Sequence, residues 1–94
     1  MIQKSDKMIK ESEVKIKVVL DENQVPQDIE WIATDTENEE LRKSKAMIMA
    51  MWDKQEETTL RMDLWTTEMT IDDMKKFYHQ CFTSMADSFE RATS

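Results

Sequence analysis

A chain of 94 residues without one glycine must make every turn, cap and close backbone approach with residues that carry a Cβ. Phosphate-binding loops and dinucleotide fingerprints use glycine because the backbone there approaches the ligand at φ angles a Cβ forbids. Those functions are excluded. A structural zinc site needs about four Cys or His ligands, and the chain holds only His79 and Cys81. No cofactor is expected, and a single cysteine makes no intrachain disulfide, so nothing depends on an oxidising compartment.

The length suits one domain, which we place at 12–94 behind a flexible N-terminal tail, 1–11, whose mixture of polar and charged residues has neither helical nor strand period. The N-terminus lacks an apolar leader core, and the longest apolar run, Ala46 to Trp52, is far short of the roughly 20 residues that span a bilayer. A cytoplasmic protein with no membrane insertion is expected. The net charge of −7 is concentrated between Asp21 and Glu40, which hold eight acids and no Lys or Arg. Since nucleic-acid affinity comes mainly from cations neutralising phosphates, nucleic acid is excluded as a partner. A basic target for this stretch is one reading; a solvated surface that maintains solubility is the other.

Val14, Ile16, Val18 and Leu20 alternate with Lys15 and Lys17, as in a half-buried strand. Asn23 and Pro26 mark a turn, and Ile29, Trp31 and Ala33 share one face of a second strand, giving a hairpin with a long turn. Thr36 and Glu39 form a capping-box pattern, and a helix from about Glu37 to Gln55 is predicted, with Leu41, Ile48 and Trp52 on its stripe and Met47 facing away. Thr58 to Thr66 alternates again, a third strand. The last helix is marked at its start by Thr70 as N-cap, Asp73 as box partner, and Met69 with Met74 in the staple positions. Ile71, Met74, Tyr78, Cys81, Phe82, Met85 and Phe89 form its apolar stripe. The expected fold is α+β, a three-stranded sheet with two helices on one face, in the order β-β-α-β-α. A right-handed crossover makes strands two and three parallel. With the first strand between them every neighbouring pair is antiparallel; the order 1-2-3 is the alternative.

Several long runs carry a family resemblance: the acidic turn Leu20-Asp21-Glu22-Asn23 leading to Val25-Pro26, Met51-Trp52-Asp53, the strand Leu60 to Thr66, and the terminal Met85-Ala86-Asp87 with Phe89-Glu90-Arg91-Ala92. In these the domain resembles the GldC family of gliding motility-associated proteins. The resemblance implies an accessory protein of bacterial surface gliding and its linked secretion apparatus. It brings no catalytic residue.

His79 has the side chain of a general acid or base, yet lies on the polar flank of its helix; Cys81 sits in an apolar stripe, where a thiol without a partner is not activated. Asp53, Glu56, Glu57 and Asp63 would form a carboxylate site only if the fold brought them together, and no calcium-loop spacing supports that. A small enzyme or metal-dependent hydrolase using Asp63 and His79 is therefore the second reading. The first is non-enzymatic. On the outer face of the expected sheet Val19, Ile32 and Trp65 stand among Lys15, Lys17, Glu30, Arg61 and Asp63, the composition of an interface core with its rim. With Met47, the residues Val19, Ile32, Trp65, Arg61 and Asp63 are the candidate partner-binding set, for a protein partner in the motility or secretion machinery or for a second copy in a homodimer.

Overall fold

The computed structural model describes residues 10–34 and 40–94. Five strands precede one helix: β1 (Val14–Leu20), β2 (Pro26–Ala33), β3 (Arg42–Ser44), β4 (Ala46–Trp52), β5 (Thr59–Trp65) and α1 (Ile71–Thr93). They form a three-stranded antiparallel sheet in the order β1-β2-β3 and a two-stranded antiparallel ribbon of β4 and β5. The fold is α+β as expected, but the architecture differs in three respects. The sheet of three strands is built from β3 rather than β5, there is one helix in the described residues rather than two, and β5 pairs with β4 rather than with β1, which lies at an edge of its sheet and not at the centre.

The helix predicted from Glu37 to Gln55 is replaced by β3 and β4. Thr36 and Glu39, its proposed capping box, lie outside the described residues, as does most of the proposed tail. From Ala46 to Trp52 the chain is apolar on every side, and such a run does not distinguish helix from strand by period. As a strand it places Ala46, Ile48 and Ala50 on one face and Met47, Met49 and Met51 on the other, each matched across the ladder by β5.

The first hairpin does follow the alternation in the sequence. Val14, Ile16 and Val18 oppose Ala33, Trp31 and Ile29, so the even-numbered face of β1 meets the odd-numbered face of β2. Ile29, 1% exposed, is the sole apolar residue fully buried among those described. Without glycine, the two turns with φ > 0 among the described residues use Gln24 (φ 65°) and Glu57 (φ 53°), a conformation costing about 1–2 kcal/mol with a Cβ. An aspartate organises each one. Asp21 Oδ1 accepts the amides of Asn23 (2.8 Å) and Val25 (3.0 Å). Asp53 Oδ2 accepts those of Gln55 (3.1 Å) and Glu56 (2.7 Å).

Lys45 bends the chain between β3 and β4 and joins all three substructures. Its carbonyl accepts both the amide (2.7 Å) and the hydroxyl (2.8 Å) of Thr66, which is 3% exposed. Its ammonium reaches Asp73 Oδ2 at 3.5 Å, in the first turn of α1. That helix begins as the sequence indicates: Thr70 Oγ1 accepts the Asp73 amide at 3.0 Å, and Asp73 Oδ2 accepts the Thr70 amide at 3.3 Å. The Thr70 amide and hydroxyl, with Lys45 behind them, hold the Asp73 carboxyl below its ordinary range.

Candidate interaction surface

The β4-β5 ribbon has two unlike faces. On one, Ile48 and Ala50 line a cleft of about 450 Å³ with Phe77, Gln80, Cys81, Ser84 and Met85 of α1. The helix therefore lies over this side. The register puts Trp65, Asp63 and Arg61 on the same side, opposite Ala46, Ile48 and Ala50. The other face carries Met47, Met49, Met51, Leu60, Met62 and Leu64 without one polar side chain. No element among those described covers its outer end: Met51 is 58% exposed, Leu60 60% and Met62 46%. At its inner end Met47 meets Val14, Ile16, Ile29 and Trp31 of the larger sheet around a cleft of about 190 Å³. There Trp31 is fixed by donation from its indole N–H to Ser44 Oγ (3.1 Å) and by Arg42 over its ring at 5.8 Å.

The candidate set drawn from the sequence is thus divided. Val19 and Ile32 share the charged face of the larger sheet, with Lys15, Lys17, Asp28, Glu30 and Lys43. Lys43 bridges Asp28 (3.3 Å) and Glu30 (3.7 Å), and its hydrogen bond to Asp28, reinforced by the charges of Asp28 and then Glu30, raises its pKa above the ordinary lysine value. Trp65, Arg61 and Asp63 belong to the ribbon, not to that face. Arg61 donates to both oxygens of Asp63 at 3.1 Å, and Trp65 lines an open cleft of about 500 Å³ with Gln24, Val25, Pro26 and Met69. Met47 is not on the far side of a helix but half-buried at the start of the methionine face.

Asp53 is engaged in its turn, Asp63 with Arg61, and His79 is exposed on α1. Among the described residues no group of three or more His, Cys, Asp or Glu side chains is placed to hold a metal ion. Cys81 is free and half-buried in the cleft under the helix.

Sequence reasoning missed the methionine face because it assigned Met47, Met49 and Met51 to a helix. The signal that would have found it is their spacing of two, matched by Leu60, Met62 and Leu64 in the next strand. It also took the apolar stripe of α1 for core. From Phe82 to the end every described residue of the helix is exposed, including Phe82 (65%), Met85 (61%) and Phe89 (70%).

The family model described as gliding motility-associated protein GldC-like matches residues 26–94. The chain belongs to the GldC-like family. The match takes in β2 to α1 and so includes the whole ribbon, the Lys45 bend and the helix. Neither a curated protein nor a solved structure matches the chain. No described helix of this GldC-like protein is long and apolar enough to cross a membrane.

Proposed function

We propose that this GldC-like protein is a non-enzymatic accessory component of gliding or its linked secretion machinery, and that it works by docking another protein on the methionine face of the β4-β5 ribbon. The observation that carries this is the six-residue face Met47, Met49, Met51, Leu60, Met62 and Leu64, uninterrupted by any polar group and open to solvent at its outer end. A strand apolar on both sides, as β4 is, favours a layer on each, and α1 flanks one side of it. The occupant that fits the other is an amphipathic helix of a machinery component. Seven residues of strand extend about 23 Å, the length of roughly four helical turns, and thioether side chains adapt to a foreign surface at little cost.

The test is affinity capture from the native cell with mass spectrometric identification, comparing the wild type with Met51→Glu/Leu60→Glu. Both positions are more than half exposed, so the variant should retain its fold by circular dichroism. A motility or secretion component that the wild type and Trp65→Ala retain, and the double variant loses, supports the reading. Retention by the double variant, or loss only with Trp65→Ala, Val19→Asp or Ile32→Lys, moves the docking surface to the set drawn from the sequence.

A further inference from the structure

The helix carries a second uncovered surface with its own pattern. Ile71, Lys75, Tyr78, Phe82, Met85, Phe89 and Ala92 follow one another at alternating intervals of four and three, the spacing of a coiled-coil seam. At 100° per residue this line is centred about 100° from the direction of Phe77, Gln80, Cys81, Ser84 and Met85, which face the ribbon, with Met85 common to both sets. The helix cannot bury both against its own sheet. Accordingly Ile71 is 77% exposed, Phe82 65%, Met85 61% and Phe89 70%.

We infer that this seam is covered by the α1 seam of a second copy, packed antiparallel about a two-fold axis at Phe82, so that the protein is a homodimer. Three observations select this occupant and direction. The first is area: with about 200 Å² for an aromatic side chain and about 100 Å² for an aliphatic one, the exposed fractions of Ile71, Phe82, Met85 and Phe89 leave roughly 400 Å² of apolar seam per protomer. Two copies bury about 800 Å², the size of a weak, reversible interface. The second is register. Centred on Phe82, the antiparallel pair sets Tyr78 against Met85 of the second copy and Ile71 against Ala92, large against small at the ends. The third is charge. Lys75, the one ionised seam residue, falls opposite Phe89 of the second copy with Glu90 beside it, and neither Lys75 nor Glu90 has a salt-bridge partner among the described residues. A parallel pair would instead stack Lys75 on Lys75 inside the seam, and a polar residue at a single such position fixes register by that kind of conflict. This inference goes beyond the docking reading and does not depend on it, because the methionine face is on the far side of the ribbon from α1.

Sedimentation equilibrium between 1 and 100 μM, about the range of ordinary protein association constants, tests it. The wild type should sediment as a dimer and Phe82→Glu as a monomer. Because a charge at Phe82 tests folding together with pairing, the decisive series uses the exposed charges. Lys75→Glu should weaken association about tenfold, because symmetry removes two ion pairs and creates two like-charge contacts. Lys75→Glu/Glu90→Lys should restore it to within about threefold. A wild type that is monomeric and folded throughout, or a double variant no tighter than Lys75→Glu alone, overturns the antiparallel pair. Either result leaves the methionine-face reading standing, since that is read by capture with Met51→Glu/Leu60→Glu.

Discussion

Ile29→Ala is the substitution to which this fold should be most sensitive. Ile29 sits mid-strand in β2, opposite Val18 on one side and Ser44 on the other, and is 1% exposed. Truncation removes three carbons, worth about 0.8 kcal/mol each in transfer, or roughly 2.4 kcal/mol. A cavity term adds to this, but the site adjoins the cleft bounded by Val14, Ile16, Trp31 and Met47, whose side chains can relax into the vacated space. The total should therefore fall in the lower half of the 2–5 kcal/mol observed for such changes, at about 3 kcal/mol. For a domain of this size that lowers the melting temperature by about 12–24 °C. Val14→Ala is the internal control: Val14 lies in the neighbouring strand on the same face but is 63% exposed, and its truncation should cost under about 1 kcal/mol. Urea unfolding followed by circular dichroism at one fixed protein concentration measures both, the concentration being held because association shifts apparent stability. An Ile29→Ala cost below about 1 kcal/mol, or a Val14→Ala cost equal to it, would show that the interior is not centred on Ile29.

Two further outcomes test the bend at Lys45. Thr66→Val keeps the shape of the buried side chain and removes its hydroxyl, but the Lys45 carbonyl still accepts the Thr66 amide at 2.7 Å, so no acceptor is orphaned and the loss should be about 0.5–1.5 kcal/mol by urea unfolding; a loss above about 3 kcal/mol would contradict that bonding. Asp73, with its folded pKa lowered chiefly by the Thr70 amide and hydroxyl, contributes stability that is complete above the unfolded value near 3.9 and disappears as pH falls through the folded value. The melting-temperature difference between wild type and Asp73→Asn should accordingly be constant from pH 7 to about pH 5 and shrink below about pH 4; a difference independent of pH would refute the role of the carboxylate.

The parts of the fold that could be read from the sequence are those in which one face is polar. Lys15 and Lys17 between apolar residues determine which side of β1 is inward, and Thr70 with Asp73 marks the start of α1 as found. In the segment 46–52 no polar residue separates the two faces, so a period of 3.6 and a period of 2 both accommodate it. Tertiary pairing with Thr59–Trp65 decides for strand. The sheet order failed for the same reason, since a crossover helix in that segment was what made strands two and three parallel. The candidate set is divided between two sheets, because a residue set chosen as the outer face of one sheet cannot anticipate that Val19 and Trp65 belong to different ones.

The same all-round apolarity that obscures β4 in the sequence has a consequence for how partners can be arranged. A strand buried on one face only would carry alternate polar residues, as β1 does with Lys15 and Lys17. From Ala46 to Trp52 none is present, although the outward face is open to water in a chain that is otherwise strongly charged. Contiguous exposed apolar surface of this kind marks interaction sites in soluble proteins, and here it occurs on two surfaces that do not overlap. The helix seam is turned about 100° from the ribbon, and the methionine face is on the ribbon's other side. Pairing through the first therefore leaves two copies of the second exposed, related by the two-fold axis. A dimer built in this way offers a bivalent docking surface, in which two weak apolar contacts reinforce one another when both partner segments belong to one assembly.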